Sequence, residues 1–250
     1  MRKSWLTIKN HVTEVSLEKC SRVADGNVVI PDGVTKIGDS AFNCCNKITS
    51  IQLPEGVIRI DNHAFENCTS LESINIPNGV VIIGDHAFEN CTSLESISIP
   101  NSVIHIGAAA FRGCKKLKSL KVPYQVREIS SYTFDGCKCL TEIELSQDTE
   151  EIGRLAFARC ESLTKIELPE TVSTIGMGVF DYCTSLDEIT IMNEEIVFSD
   201  FLKKKEDYFF DVDVEKITLV VPEDIDRFRL REYVEAFSPV ERRVEYWRYE

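Results

Sequence analysis

A 23-residue repeat runs through most of this 250-residue chain. The stretch IDNHAFENCTSLESINIP begins at Ile60, and IGDHAFENCTSLESISIP begins at Ile83. Phenylalanine recurs at the same interval, at Phe42, Phe65, Phe88, Phe111, Phe134, Phe157 and Phe180. Cysteine does so at Cys45, Cys68, Cys91, Cys114, Cys137, Cys160 and Cys183. A fixed period of this length indicates stacked units, each of which buries its apolar face only against its neighbours.

One unit, residues 71–94, shows how each coil is built. Its first segment, LESINIP, alternates apolar and polar residues, which predicts a half-buried strand. Pro77 and Gly79 then favour a turn, because proline presets φ and glycine accepts a positive φ. A second extended segment follows at residues 80–83. Asp85 is expected to cap a short helical turn over DHAFENC.

The consensus L-x-x-I-x-I-P-x-x-V-x-x-I-G-x-x-A-F-x-x-C resembles the BspA-type leucine-rich repeats over about residues 26–191. The largest departures are Ser130 for glycine, Thr133 for alanine and Ser146 for proline. The resemblance implies a right-handed solenoid with a strand-lined concave face. It also implies a surface protein, as often found in mucosal bacteria and some parasitic protozoa. The predicted fold is an α/β leucine-rich-repeat solenoid of 23-residue coils with short helical turns and capped ends.

The domain boundaries follow from the repeat. Residues 1–27 are expected to form an N-terminal cap, residues 28–191 a solenoid of about seven coils, and residues 192–250 a C-terminal cap, all in one continuous domain. Within the last cap, the strand–proline pattern returns at Leu219, Val221 and Pro222. A helix from about Asp224 to Phe237 and a final strand from 240 to 247 should follow. A solenoid needs such caps, so they imply no particular function.

Charge and apolar content restrict the possible partners. The net charge is −13: residues 1–140 carry a net +1 and residues 141–250 a net −14. The acidic half disfavours nonspecific binding to nucleic acid or to an anionic membrane surface. No apolar run is long enough to span a bilayer, and the first residues lack the apolar core of a secretory signal. A cytoplasmic location is the default reading, whereas the family resemblance implies the cell surface.

The sequence offers no catalytic motif and predicts no enzyme, cofactor or metal site. It lacks G-x-S-x-G, a P-loop and H-E-x-x-H. His63 and His86 occupy one column of adjacent coils and could approach each other closely. The other residues of that column provide no third ligand, and zinc usually takes four. The histidines are therefore expected to be surface residues.

The repeated cysteines are expected to be buried free thiols. Neighbours in the column would lie within disulfide range, but parallel side chains would need distortion to join. Cys44 and Cys139 lie outside the column on less constrained positions. Either could be exposed.

The outward side of the repeat strands is the expected binding surface. Its 21 positions contain no aromatic residue, so a tight apolar footprint is not expected. They do carry an organised charge pattern. The candidate partner-binding residues are Lys116, Lys118, Lys121, Glu142, Glu144, Lys165 and Glu167. A charged partner could be steered by such a surface, presenting acidic groups to Lys118 and Lys121.

Two functions remain open from the sequence. The first is a non-enzymatic protein-binding module, with surface adhesion or host interaction as the resemblance implies. The alternative is an intracellular structural or scaffolding solenoid. Both interpretations assume a monomer with an unidentified protein partner, with neither nucleic acid nor membrane insertion.

Overall fold

A computed structural model describes residues 14–15, 26–193, 195–198, 218–222, 225 and 244–247. They form a right-handed solenoid of about seven coils. In chain order the strands are β1 (Glu14–Val15), β2 (Gly26–Val29), β3 (Lys36–Ile37), β4 (Ile48–Gln52), β5 (Arg59–Ile60), β6 (Ser73–Asn75), β7 (Ile82–Ile83), β8 (His105–Ile106), β9 (Ser119–Lys121), β10 (Glu128–Ile129), β11 (Glu142–Glu144), β12 (Glu151–Ile152), β13 (Lys165–Leu168), β14 (Thr174–Ile175), β15 (Glu188–Ile191), β16 (Val197–Phe198), β17 (Thr218–Pro222) and β18 (Val244–Trp247). The described residues contain no helix.

The strands form two sides of the solenoid, and every pairing between them is parallel. One side, the strand face, consists of β2-β4-β6, β9-β11 and β13-β15-β17-β18. The second side consists of β1-β3-β5-β7-β8 and β10-β12-β14-β16. Within the repeats the register steps by one repeat, as in Ile51 opposite Ile74 and Lys121 opposite Glu144. This confirms that equivalent residues of successive coils are direct neighbours.

The phenylalanine column forms the centre of the core. Six successive ring pairs are stacked, with centroids 5.2–6.0 Å apart and planes 1–14° from parallel. Each ring is at most 1% exposed. The leucine position, from Ile48 to Leu186, and the valine position, from Val34 to Val172, are buried beside it. The repeat thus buries the same apolar side chains in every coil.

The expected helical turn over residues 85–91 is a chain of hydrogen-bonded turns instead. His86 has φ of 56°, and the residue four positions later is also left-handed. A left-handed residue interrupts an α-helix, because helical hydrogen bonding requires consecutive right-handed residues. The Glu89 N–H donates within the coil to the His86 carbonyl at 3.1 Å, whereas the Phe88 N–H donates to Ala110 of the next coil at 2.8 Å. Backbone bonding therefore alternates between the coil and its neighbour.

Asp85 links coils rather than capping a helix. Its Oδ1 accepts the backbone N–H of Ala108 in the next coil at 2.8 Å. Its own N–H donates to Oδ1 of Asn62 in the preceding coil at 2.9 Å. Asn62 in turn donates its N–H to Asp39 Oδ1 at 3.1 Å. These short polar side chains fasten successive coils along one edge.

The three departures from the consensus are buried hydroxyls with local acceptors. Ser130 Oγ donates to the Ile106 carbonyl at 3.0 Å, and Thr133 Oγ1 donates to the Ser130 carbonyl at 2.6 Å. Ser146 Oγ donates to the Tyr124 carbonyl at 2.7 Å. Among the described strands, β8 and β10 are not paired, and the Ser130 hydroxyl lies at that break. Each buried hydroxyl is thus satisfied, as a buried polar group must be.

Six of the seven repeated cysteines are buried free thiols, as expected. From Cys68 to Cys183, each thiol donates to the phenylalanine carbonyl 26 residues earlier at 3.1–3.3 Å. Burial raises the pKa of Cys68 and of Cys183 to about 12. The thiol is therefore a small core group with a weak donor that satisfies a buried carbonyl.

Cys45 contradicts the expectation of a free thiol, because it is disulfide-bonded. Its partner is not among the eight described cysteines that are free. Cys45 is the first member of the column, and the phenylalanine series has no member 26 residues before it.

We expect native alkylation to distinguish two classes of free thiol. The exposed Cys44 and Cys139 should react rapidly, whereas the six buried thiols should react only after denaturation. The physical reason is that the thiolate is the nucleophile, and burial disfavours it by raising the pKa. Peptide mass spectrometry after labelling, with and without denaturant, measures the difference. Rapid native labelling of Cys91 or Cys114 would contradict the buried column.

The C-terminal strands match the sequence prediction in part. β17 contains Leu219, Val221 and Pro222, and it pairs in parallel with β18. The predicted helix from Asp224 to Phe237 lies outside the described residues, apart from Ile225. No helix in the described part of the chain has the length and apolarity needed to cross a bilayer.

Candidate interaction surface

The predicted binding residues lie along the C-terminal half of the strand face. Lys121 ends β9, Glu142 and Glu144 begin and end β11, and Lys165 and Glu167 belong to β13. Lys118 directly precedes β9, and Lys116 lies in the turn before it. All seven side chains are exposed. They point outward because the alternate residues Leu120, Ile143 and Ile166 enter the core.

Two of the predicted lysines are already paired with acids of adjacent coils. Lys118 Nζ lies 2.8 Å from Oε2 of Glu95, and Lys121 contacts Glu144. The hydrogen bond from Lys118 lowers the pKa of Glu95, and the same contact raises the pKa of Lys118. Both pairs are more than half exposed on average, so they contribute little to folding. Sequence columns alone did not predict this partial neutralisation.

Four of the predicted residues form no ion pair with another described residue. They are Lys116, Glu142, Lys165 and Glu167. The unpaired charge therefore changes sign across successive coils, from Lys116 to Glu142 and then to Lys165 beside Glu167.

Two further basic side chains of this region form ion pairs that involve none of the seven predicted residues. Arg127 Nη1 lies 3.0 Å from Glu150 Oε1, and Lys138 Nζ lies 2.5 Å from Glu161 Oε1. In both pairs the acid follows the base by one repeat. The two pairs link each basic residue to the coil that follows it, and they leave less positive charge available to a partner.

A buried polar cluster on the turn side was not predicted. Asp135 is about 1% exposed, and its Oδ2 accepts from Arg112 Nε at 3.1 Å and from Arg159 Nη2 at 2.6 Å. Arg112 also reaches Oε1 of Glu89 at 3.3 Å. Asp135 Oδ1 has no partner within the described residues. The sequence signal was the column holding Glu89, Arg112 and Asp135, whose charge changes sign twice.

His63 and His86 lie close together, as their shared column suggested, and both side chains are partly exposed. Their rings are stacked with centroids 4.7 Å apart, which was not predicted. His63 Nδ1 lies 2.9 Å from Glu66 Oε2, and His86 contacts Glu89. Among the described residues, no group of three or more His, Cys, Asp or Glu side chains is arranged to hold a metal ion. Each histidine is thus in contact with the ring of the other and with a glutamate of its own coil.

The N-terminal half of the strand face differs from the charged half. It contains a shallow groove of about 540 Å³ across β2, β4, β6 and the following coil. Neutral polar side chains line it: Asn27, Ser50, Gln52, Ser73, Asn75, Ser96 and Ser98. Val28, Ile51, Ile74 and Ile97 form its floor, and Val29 lies at its N-terminal end. The strand face thus combines a neutral groove with a charged surface.

Comparison with solved structures places this fold among bacterial leucine-rich repeat proteins. A leucine rich cell surface protein from Faecalibacterium prausnitzii is 19% identical, with a TM-score of 0.51 over 88% of this chain and 87% of that one. The T. pallidum leucine rich repeat protein is 28% identical, with a TM-score of 0.49 over 59% and 80%. A leucine-rich repeat protein from Bacteroides ovatus is 25% identical, with a TM-score of 0.45 over 86% and 69%.

The family follows from the sequence, through a match to a family model rather than to an individual curated protein. A comparison with curated proteins finds no match. The family model described as BspA type Leucine rich repeat region (6 copies) matches residues 19–123 and 104–228. These two matches together cover most of the chain and include every repeat of the phenylalanine column. The chain belongs to the BspA-type leucine-rich repeat family.

Proposed function

We propose that this chain is a non-enzymatic module that binds a protein partner through the charged half of its strand face. Leucine-rich repeat proteins generally mediate protein interactions, which supports the class of function. The observation that carries the proposal is the exposed charge of both signs on adjacent coils, where Lys116, Lys118 and Lys121 are followed by Glu142, Lys165 and Glu167. Such an arrangement can steer a partner of complementary charge and fix its register on the surface.

The partner should carry a complementary charge pattern. Acidic groups are expected over Lys116, Lys118 and Lys121, and basic groups over Glu142 and Glu167. The surface has no aromatic anchor, so charge should contribute mainly to the rate of association and to the choice of partner.

We further propose that the module works at the cell surface, in adhesion or host interaction. The Faecalibacterium prausnitzii relative is described as a cell surface protein. The disulfide at Cys45 also supports an oxidising compartment, because disulfides seldom persist in a reducing cytosol. This observation favours the surface module over an intracellular scaffold.

The direct test measures association after charge reversal. A partner is first identified by crosslinking to extracellular-matrix proteins and to the source cell's own proteins. We expect the double variant Lys118→Glu with Lys121→Glu to associate more slowly than the parent, because both reversals repel the partner's acidic groups. The difference should shrink as salt approaches about 0.15 M and beyond, where exposed charges are screened. Stopped-flow or surface kinetics at several salt concentrations measure it.

Two control variants separate docking from other effects of charge. Arg127→Glu with Lys138→Glu makes the same change in net charge, also breaks two exposed ion pairs, and changes none of the seven predicted residues. It should associate at nearly the parental rate. The swap Lys121→Glu with Glu144→Lys keeps an ion pair between the same two positions but reverses its direction, and it should still slow association. The proposal fails if the Lys118 and Lys121 reversals bind as fast as the parent at low salt.

A further inference from the structure

The neutral groove of the strand face carries hydrogen-bonding groups that the fold does not use. Ser50 Oγ donates to Asn27 Oδ1 at 2.7 Å. The side chains of Gln52, Ser73, Asn75, Ser96 and Ser98 make no side-chain hydrogen bond within the described part of the chain. All five are exposed. The groove thus offers amides and hydroxyls in two parallel rows, with no formal charge in its lining.

These rows have the spacing of the coils. Adjacent strands lie about 4.8 Å apart, and the phenylalanine rings of Phe42 to Phe111 repeat at 5.2–5.4 Å. One row is Ser50, Ser73 and Ser96, and the other is Gln52, Asn75 and Ser98. A ligand that repeats its polar groups once per coil can meet both rows in register.

An extended peptide fits this spacing poorly. Its side chains return to the same side every second residue, at about 6.6 Å. The backbone N–H and C=O groups of the strands under the groove already form hydrogen bonds with neighbouring strands along the solenoid axis, as in the pairing of Ile51 with Ile74. Only side-chain groups therefore face the groove, and a peptide backbone cannot add to the ladder from above.

A linear glycan fits better, because one pyranose unit of an extended chain is close to one coil in length. Successive units of a β-1,4-linked chain are turned over, so each edge presents different hydroxyls in alternate units, but every unit still carries hydroxyls on both edges. These hydroxyls are partners for serine hydroxyls and for the amides of asparagine and glutamine. Glu72, which forms no ion pair with another described residue, borders the groove in the next column, so an acidic glycan would meet like charge there. The volume of about 540 Å³ lies within the usual range of ligand sites.

We propose that this groove binds a neutral linear oligosaccharide lying along the solenoid axis, one sugar unit per coil. The four levels run from Asn27 to Ser98, so four units fill the groove. The site lies apart from the charged half of the strand face and does not depend on the proposed protein partner. Because the groove has no aromatic ring for a sugar to stack on, affinity should depend on how many units bind in register.

The test titrates the full chain with neutral β-1,4-linked di- to hexasaccharides of glucose, mannose and xylose, using calorimetry and NMR shift mapping. We expect binding by at least one series, with affinity rising up to the tetrasaccharide and then levelling off. Gln52→Ala with Asn75→Ala should lower the affinity for the tetrasaccharide roughly tenfold, because the hydrogen bonds of two side chains to the ligand are lost. The matched change Asn101→Ala with Gln147→Ala, in exposed turns, should leave affinity unchanged.

Each other outcome overturns the proposal. Failure of all three series to bind at millimolar concentration excludes a neutral-glycan groove. Equal binding by oligogalacturonates contradicts the selection for neutral ligands. Glycan binding that the groove variant leaves unchanged places the ligand elsewhere. If a Ser/Asn-rich peptide binds and loses affinity in the groove variant while glycans fail, the groove is a peptide site.

Discussion

Truncation of Phe88 to alanine should destabilise the solenoid by about 3–5 kcal/mol. The ring is fully buried and stacks on both sides, 5.2 Å from Phe65 and 5.4 Å from Phe111 by centroid. The change removes apolar contacts with two coils at once and leaves a cavity between them. Because each coil is stabilised by its neighbours, unfolding should extend beyond the substituted coil. Denaturant unfolding followed by circular dichroism measures the loss.

Ile104→Ala is the matched control for that experiment. Ile104 belongs to the adjacent coil but is 49% exposed, so its truncation should cost far less. Hydrogen exchange on the Phe88 variant adds a spatial readout, with protection lost in the coils on both sides. A loss below about 1 kcal/mol for Phe88→Ala would mean that the phenylalanine column is not the core.

Substitution of Gly107 by alanine should destabilise the chain by about 1–3 kcal/mol through overpacking. A Cβ at this position would lie 2.5 Å from the Asp85 backbone nitrogen and 2.6 Å from the Gly84 carbonyl carbon. Both obstacles are backbone atoms of the preceding coil, so no rotamer change removes the clash. The Gly107 N–H also donates to the Ile83 carbonyl at 2.9 Å, and separating the coils would lengthen that bond. Thermal and denaturant unfolding both measure the effect.

Gly56→Ala is the corresponding control. The nearest atom to a Cβ there is the Val34 carbonyl oxygen at 3.4 Å, an ordinary contact, so stability should change little. Equal losses for the two variants would show that backbone flexibility, rather than close approach of the coils, determines the cost. Ser130 occupies the position equivalent to Gly107 one repeat later. There a side chain is accommodated where β8 and β10 are not paired, and its hydroxyl donates a hydrogen bond to the preceding coil.

Periodicity predicted the solenoid because it repeats the same burial in every coil. The positions of Phe88 and Cys91 within the 23-residue unit were enough to place both in the core. The helical turn was not predictable in the same way. A residue such as His86 has no strong preference for a left-handed backbone, and it adopts one because its N–H donates to Ala108 of the next coil. Tertiary hydrogen bonding therefore overrides the local helix signal.

The candidate site was predictable in position but not in electrostatic state. Alternation in the strand placed Lys118 and Lys121 outside, and both are exposed. Their pairing with Glu95 and Glu144 depends on the side-chain conformations that span adjacent coils, and the repeat pattern does not specify these. The neutral groove was visible in the sequence as serines and amides. Its significance depends on which of these groups remain without a side-chain hydrogen bond, and the fold rather than the residue types determines that.

The backbone hydrogen bonds from left-handed residues to the next coil determine how a repeat chain of this kind can gain or lose coils. The His63 N–H donates to the Asp85 carbonyl, and the His86 N–H makes the same bond to Ala108 one coil later. Each coil therefore offers the same backbone groups to whichever coil precedes or follows it. An in-frame duplication of 23 residues creates a coil whose two neighbours already fit, and the shared text HAFENCTSLESI has the form of such a copy. Solenoids of this family can grow or shrink by whole coils, whereas any other insertion within a repeat would shift every later phenylalanine out of its column.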